Sequence, residues 1–227
     1  MGAKARPNFE RGYKRSKLVY GIGVNDADYS ITKCKVYKRW CGILRRCSDI
    51  TIRKSYYEGC TLDPKWISFL NFKAWAELNS LSDSLVVDKD ILVSGNKIYG
   101  PDTCCVVPQY VNNSISCIRK SVGDYPVGVF WSSHLKTRPF ESMINTCTGR
   151  VRLGRFSSPE EAHKAWQEAK VSVIEDIIKR YSKEPDFNSK VAERLQDRVE
   201  AIKADINTNT LTKEMRNGCK FKAVCSR

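Results

Sequence analysis

No two of the 10 cysteines have the C-x-x-C spacing that is typical of structural zinc sites. The sequence also has no long apolar run, because stretches such as residues 127–131 have the length of a strand rather than of a membrane-spanning helix. Residues 1–17 have no apolar core after their basic side chains, so they do not resemble a secretory signal. We therefore expect no structural zinc, no membrane span and a cytoplasmic location.

The cysteines leave one alternative open. In a reducing compartment most cysteines act as small buried residues, and we expect that role for most of those present. A cluster of irregular spacing, formed by Cys34, Cys41, Cys47 and Cys60, is the one arrangement that could still hold zinc.

Acidic residues are scarce relative to basic ones. The chain has 39 Lys and Arg against 25 Asp and Glu, which gives a formal net charge of +14. Such an excess favours a polyanionic partner, either nucleic acid or an acidic membrane surface. Because the sequence has no membrane span, we predict nucleic acid as the partner and no membrane.

Composition and pattern divide the chain into four segments. We predict a basic flexible arm over residues 1–19, a first domain over 20–118, a second domain over 124–181 and a helical tail over 182–227. The arm has six basic residues before position 18 and a single acidic residue, Glu10, a composition that favours a mobile element. Its basic side chains could lie along phosphates.

Periodicity predicts helices and a hairpin in the first domain. Trp40, Ile43 and Cys47 recur at helical spacing within residues 31–47, and a second helix is expected to begin at the cap Asp63. Two short apolar runs, residues 85–87 and 104–107, are separated by Gly-rich and Asn-rich turns and predict a hairpin. A helix over residues 108–113 is expected to follow it.

The second domain has the pattern of three strands followed by one helix. Ser158 is suited to cap this helix, Pro159 to its first turn, and the acidic residues that follow to its positive end. Arg150 and Arg152 alternate with apolar residues, so both arginines should share one face of the sheet. The predicted fold class is α+β, with a three-stranded antiparallel sheet packed on one helix.

The tail predicts one more helix, over residues 189–204. Its apolar side chains recur at steps of three and four residues, at Val191, Leu195, Val199 and Ile202. This stripe could dock on the rest of the chain or mediate self-association with a second copy, and we expect docking.

The second domain resembles the DNA-binding domain of the APETALA and ethylene-response-factor type, a phage form of which accompanies homing endonucleases. The resemblance covers residues 125–170 and rests on Tyr125, Gly128-Val129, the Leu153-Gly154-x-Phe156 sequence and the helix opening Ser158 to Ala162. It implies a three-stranded sheet that lies in the major groove of double-stranded DNA. The predicted DNA-binding residues there are Trp131, Lys136, Arg138, Arg150, Arg152 and Arg155, with Arg45 and Arg46 added from the first domain.

Residues 36–113 resemble the HNH endonucleases of phage, which include free-standing homing enzymes. The resemblance rests on Trp40 and Arg46-Cys47, the turn at residues 57–60, the aromatic run at 66–75, and the hairpin and helix of 88–113. It implies a ββα core preceded by helices. In such a core an aspartate and the closing helix hold one divalent cation, and a histidine deprotonates the attacking water.

Matched residue by residue, the resemblance places Asp88 at the metal-binding aspartate and Lys89 at the position of the histidine. Asn112 or Asn113 falls at the ligand of the closing helix, and Asn96 is the nearest candidate for the asparagine of the loop. The predicted catalytic residues are therefore Asp88, Lys89 and Asp90. The predicted ligands of Mg²⁺ or Mn²⁺ are Asp88, Asp90 and Asn113.

Lys89 departs from the family pattern, since the chain has only two histidines, His134 and His163, and both lie in the second domain. A lysine is a poor base at neutral pH, and neighbouring carboxylates raise its pKa further. We expect Lys89 to bind phosphate or to stabilise charge. Asp90 would then be a second metal ligand or would orient the attacking water.

Two functions follow as expectations. The first is a phage-type HNH or homing endonuclease of an infected bacterial host, which nicks or cleaves DNA with a metal ion while the sheet reads the major groove. The second is a catalytically degenerate DNA-binding protein, a regulator or an inhibitor, that retains the HNH-like core. An RNA-binding or ribosome-associated protein would fit the charge but leaves the sheet unexplained.

Overall fold

The computed structural model describes residues 18–48, 57–115, 125–134 and 136–212. The predicted basic arm, apart from its last two residues, lies outside these ranges, as do Cys117, Cys219 and Cys225. Within the described ranges the chain forms five α-helices, a one-turn 3-10 helix and seven short strands. The fold is thus a mixture of helices and small sheets, in agreement with the predicted α+β class.

The first helix, α1, spans Lys35–Ser48 and packs its apolar stripe inward. Trp40, Ile43 and Cys47 are buried, as the helical spacing predicts. The Trp40 indole also donates to the backbone oxygen of Trp66 at 2.7 Å. This bond satisfies the polar atom of a side chain that is otherwise surrounded by carbon.

The single helix predicted from Asp63 is divided into two. Asp63 caps a 3-10 helix, Pro64–Trp66, by accepting from the backbone of Lys65. A separate helix, α2, spans Phe69–Leu78 and begins at the cap Ser68, which has an extended backbone. The prediction of one continuous helix was wrong because Val24 bonds to the backbone on both sides of Ser68, to Ile67 at 2.8 Å and to Phe69 at 3.0 Å.

The predicted hairpin and the helix after it are confirmed. Strands β2, Leu85–Asp88, and β4, Cys105–Pro108, pair antiparallel, with Asp88 opposite Cys105. Helix α3, Gln109–Ile115, follows β4 directly. The connection between the strands contains β3, Ile98–Tyr99, which pairs in parallel with β1, Thr61–Leu62, and was not predicted.

The sheet of the predicted second domain, which we call the second sheet, has the three predicted strands in the order β5-β6-β7, all antiparallel. They are β5, Val129–Trp131, β6, Phe140–Thr146, and β7, Gly149–Phe156. Helix α4, Pro159–Tyr181, covers one face, and Ser158 caps it by accepting from Glu161 at 3.2 Å, as predicted. Gly128 lies where Trp166 of α4 approaches the backbone, at a positive φ of 81°.

The last described helix, α5, spans Ser189–Asn207, three residues beyond the predicted end. Its stripe of Val191, Leu195, Val199 and Ile202 is fully buried, so the docking alternative is the one observed. These side chains pack with α4 and with Val107 of β4 in one core cluster. Helix α5 therefore covers the hairpin from a position about a hundred residues further along the chain.

Among the described residues, no helix combines the length and the apolar character needed to cross a membrane.

Candidate nucleic-acid interface

Three arginines of β7 project from the face of the second sheet that α4 leaves open. Arg150 pairs with Asn145, Arg152 with Met143 and Arg155 with Glu141, and these partners alternate along β6. The intervening residues Ser142 and Ile144 are buried on the opposite face. The three arginine side chains therefore point to one exposed surface, which we call the arginine face.

A β-bulge brings Arg155 onto that face. Arg152 and Arg155 are three residues apart, so strict alternation would place them on opposite sides of the strand. In β6, however, the adjacent residues Ser142 and Met143 pair with Gly154 and Arg152, and Leu153 is left as the extra residue. Leu153 packs toward the core while both arginines remain outside.

Contacts with neighbouring side chains hold the arginines. Glu141 lies between two of them, with Arg155 Nε donating to its Oε1 at 3.0 Å and Arg152 Nε at 3.7 Å from the same oxygen. The Arg150 guanidinium stacks 4.6 Å from the ring centroid of Phe130, which is a favourable cation–π distance. The guanidinium groups are thus supported at their bases and remain partly exposed.

Next to this face is an open concavity formed at the β5–β6 connection. It is lined by His134, Lys136, Thr137, Arg138 and Arg155. Lys136 and Arg138 are both exposed. The structure thus brings together five of the predicted DNA-binding residues, namely Lys136, Arg138, Arg150, Arg152 and Arg155.

Trp131 is not on the arginine face. Phe130 pairs with Glu141, but the next residue, Trp131, pairs with Phe140, which itself pairs with Phe156. This row points to the side of the sheet that α4 covers. Trp131 is nevertheless 54% exposed, because it lies at the end of its strand.

Arg45 and Arg46 lie on α1, and their environments differ. Arg45 is exposed, whereas Arg46 is turned into the protein. Arg46 lies 5.2 Å from the ring centroid of Tyr57 and donates to the hydroxyl of Tyr99 at 3.4 Å. Burial raises the pKa of Tyr99, so this hydroxyl is neutral near pH 7.

Asp88, at the end of β2, is buried and organises the turn that follows it. One carboxylate oxygen, Oδ1, accepts from the backbone nitrogens of Asp90 at 2.7 Å and of Ile91 at 2.8 Å. Such a pattern is typical of an aspartate that closes its own turn. Arg198 of α5 donates to the backbone oxygen of Asp90 at 2.6 Å and fixes the turn from the other side.

Lys89 and Asp90 form a largely buried ion pair. Lys89 Nζ donates to Asp90 Oδ1 at 2.6 Å and to the backbone oxygen of Asn96 at 2.7 Å. A second hydrogen bond joins the same two residues, since Asn96 Nδ2 donates to the backbone oxygen of Lys89 at 2.9 Å. The lysine predicted to meet phosphate therefore has its ammonium bonded inside the loop, and Asn96 holds the loop's two ends together.

In this arrangement each predicted metal ligand already has a protein partner on one of its oxygens. Asp88 Oδ1 is occupied by backbone donors, Asp90 Oδ1 by a lysine ammonium, and Asn113 Oδ1 accepts from Gln109 at 2.8 Å. A positive charge in contact with Asp90 opposes the entry of a second one. Within the described ranges there is no group of three or more His, Cys, Asp and Glu that could hold a metal ion.

The cysteines near the turn are neutral thiols. Burial raises the pKa of Cys104 to about 12 and raises that of Cys105 further, and both side chains lie in the core. Cys47 and Cys60 of the cluster considered for zinc are buried in a second core with Trp40, and Cys34 and Cys41 pack against it. These thiols lie in apolar surroundings.

Sequence reasoning missed two residues of these sites, Glu141 and Arg198. Glu141 is an isolated acid in a strand, and its position between two arginines depends on the bulge in β7. Arg198 is one of several basic residues of a polar helix, and its role depends on the docking of α5. Neither residue carries a local signal in the sequence.

Comparison of the chain with protein-family models, with curated proteins and with solved structures finds no match.

Proposed function

We propose that the protein binds double-stranded DNA through the arginine face of its second sheet. The observation that carries this proposal is the exposure of Arg150, Arg152 and Arg155 on one face of a sheet that α4 supports from behind. Three strands span roughly 10 Å, and the major groove of B-DNA is about 12 Å wide. A sheet of this width can enter the groove with its arginines toward the base edges.

The distribution of the other charges supports the same partner. Lys136 and Arg138 flank the arginine face at the neighbouring concavity, where they are placed to meet the phosphate backbone. The net charge of +14 favours association with a polyanion over the whole surface. Base contacts and phosphate contacts would thus come from adjacent parts of one small unit.

The test is the salt dependence of binding to a labelled DNA duplex, measured by fluorescence anisotropy. The variant is Arg150→Ala/Arg152→Ala/Arg155→Ala, and the matched control, Lys179→Ala/Lys190→Ala/Arg194→Ala, removes the same charge from exposed positions of α4 and α5. We expect the sheet variant to lose most of its affinity while its salt slope changes little, because arginines that meet base edges neutralise few phosphates. Equal losses in both variants would overturn the proposal.

A second candidate is a metal-dependent endonuclease with an HNH-like core. It is favoured by the order β2, long loop, β4 and α3, with Asp88 at the end of the first strand and Asn96 bracing the loop. Against it stands the Lys89–Asp90 ion pair, because the ammonium already neutralises Asp90 and so opposes the binding of Mg²⁺ there. DNA binding without cleavage is therefore the function that the geometry supports best.

Incubation with supercoiled plasmid separates the two candidates. The full chain is compared in Mg²⁺, in Mn²⁺ and in chelator, beside Asp88→Asn, Asp90→Asn and the exposed control Asp186→Asn. Metal-dependent nicks that only the first two variants lose would establish the endonuclease. Intact plasmid together with strong gel retardation would establish a binding protein with a non-cleaving core.

A further inference from the structure

Glu141 is the one carboxylate that the described sheet places on the arginine face. Its side chain is only 13% exposed, while those of Arg152 and Arg155 are 54% and 46% exposed. Both arginines approach it through Nε, so the two terminal nitrogens of each guanidinium are not engaged by Glu141. The acid therefore braces the base of each side chain and leaves its outer edge available.

A carboxylate at this position has opposite effects on two kinds of DNA contact. A phosphate that approached Arg152 or Arg155 would also approach Glu141, and the like charges would oppose the contact. A guanine presents the neutral acceptors O6 and N7 in the major groove, and these bind a guanidinium in a bidentate manner. Glu141 therefore disfavours phosphate more than it disfavours a guanine edge.

We propose that Glu141 is a specificity-determining residue that directs Arg152 and Arg155 to guanine edges in the major groove. This inference rests on the proposed DNA binding and names the feature of the duplex that is read. Lys136 and Arg138, which have no carboxylate partner among the described residues, take the phosphate contacts. The pairing with Glu141 thus distinguishes the arginines that contact bases from the basic residues that contact DNA phosphates.

The experiment measures the binding of the full chain to two duplexes of equal length, one rich in G·C pairs and one made only of A·T pairs. Wild type, Glu141→Gln and the control Glu193→Gln are titrated at several salt concentrations. Glu193 is exposed on α5, so the control removes one negative charge from another surface. Thermal melting of each variant reports whether the fold is intact.

We expect wild type to prefer the G·C-rich duplex. Glu141→Gln should bind the A·T duplex several-fold more tightly and lose most of the preference, because phosphate now competes for both arginines. Glu193→Gln should shift both affinities equally. If Glu141 acted in folding alone, the variant would instead bind both duplexes more weakly to the same extent, and its own melting temperature would fall.

If a folded Glu141→Gln protein kept the preference of wild type, the inference about Glu141 would be overturned and the proposed DNA binding would stand. If wild type bound neither duplex, the inference and the proposed DNA binding would both be overturned. A second variant, Arg155→Lys, guards against misfolding of the first, because it keeps the charge but not the bidentate fork. It should lose preference for the G·C-rich duplex while its affinity for the A·T duplex stays close to that of wild type. If the Arg155→Lys protein preferred the G·C-rich duplex as strongly as wild type does, the inference would also be overturned.

Discussion

Lys89 Nζ lies 2.6 Å from Asp90 Oδ1, and the two side chains are only 8% and 13% exposed. The pair closes the loop that follows β2, with Asn96 bonded to Lys89 on one side and Arg198 bonded to Asp90 on the other. The lysine that we expected to bind phosphate or to stabilise charge thus has its ammonium in contacts within the loop.

Removal of one partner of this pair should be strongly destabilising. We expect Lys89→Met to lower the free energy of unfolding by about 3–5 kcal/mol, because Asp90 and the backbone oxygen of Asn96 are left buried without their donor. The double variant Lys89→Met/Asp90→Asn should recover part of this loss. Urea denaturation of the single and double variants measures both effects, and a loss below about 1 kcal/mol would mean that the pair behaves as an exposed one.

His163 should make the stability of the protein sensitive to pH. The ring is buried, its Nε2 accepts from the backbone nitrogen of Thr212 at 3.0 Å, and its Nδ1 therefore donates to the backbone oxygen of Val127 at 2.8 Å. Burial lowers the pKa of His163 in the folded state, while the unfolded chain takes up a proton below about pH 6.5. The free energy of unfolding should therefore fall as the pH drops below that value, until the lower folded pKa is reached.

The measurement is urea unfolding of wild type and His163→Gln across this pH range. Carboxylates contribute the same pH dependence to both proteins, so their difference isolates the histidine. We expect the variant to be less stable near neutral pH and to show a shallower slope. Parallel curves would show that the proton uptake of His163 does not differ between the folded and unfolded states.

Arg152→Ala should weaken DNA binding without affecting the fold. A bidentate arginine contact with guanine contributes about 1–3 kcal/mol of discrimination, so we expect affinity for a G·C-rich duplex to fall by between roughly five-fold and roughly a hundred-fold. The control Arg194→Ala removes a charge from an exposed helix position and should have a small effect. An Arg152→Ala isotherm identical to that of wild type would exclude this residue from the interface.

Gly128→Ala should destabilise the packing of α4 on the sheet. A Cβ at this position would collide with the indole of Trp166, and the positive φ of 81° is also unfavourable for alanine. Gly59→Ala is the matched control, because its φ is similar, at 76°, while a Cβ there meets nothing within 4 Å. We expect the first variant to lose about 1–3 kcal/mol more stability than the second in thermal or urea unfolding. Equal losses would show that the indole moves aside without cost.

Local patterns predicted the elements that begin and end within a few residues. Ser158 and Pro159 mark the start of α4, and the alternation of Arg150 and Arg152 with apolar residues correctly placed both on one exposed face. All four residues of the buried apolar stripe of α5 were predicted. In each case the determining contacts lie within one or two turns of the same helix, or within one strand.

The division of the helix after Asp63 could not be predicted in this way. Ser68 becomes extended because residue 24, more than forty positions earlier, bonds to the backbone on both of its sides. The short parallel pair β1 and β3 has the same origin, since two-residue strands leave almost no pattern. Contacts of this range depend on how separate segments meet.

The sequence by itself determined the net charge, the order of the main helices and strands, and the shared face of Arg150 and Arg152, because composition and short-range periodicity suffice for these. Only the tertiary structure decided that Arg155 lies on the same face, because the direction of its side chain depends on the β-bulge in the pairing of β7 with β6. It also decided the burial of Lys89, because α5 and Arg198 cover that turn from a distant part of the chain. A β-bulge and a docked helix each depend on contact with another segment of the chain, so short-range patterns in the sequence do not predict them.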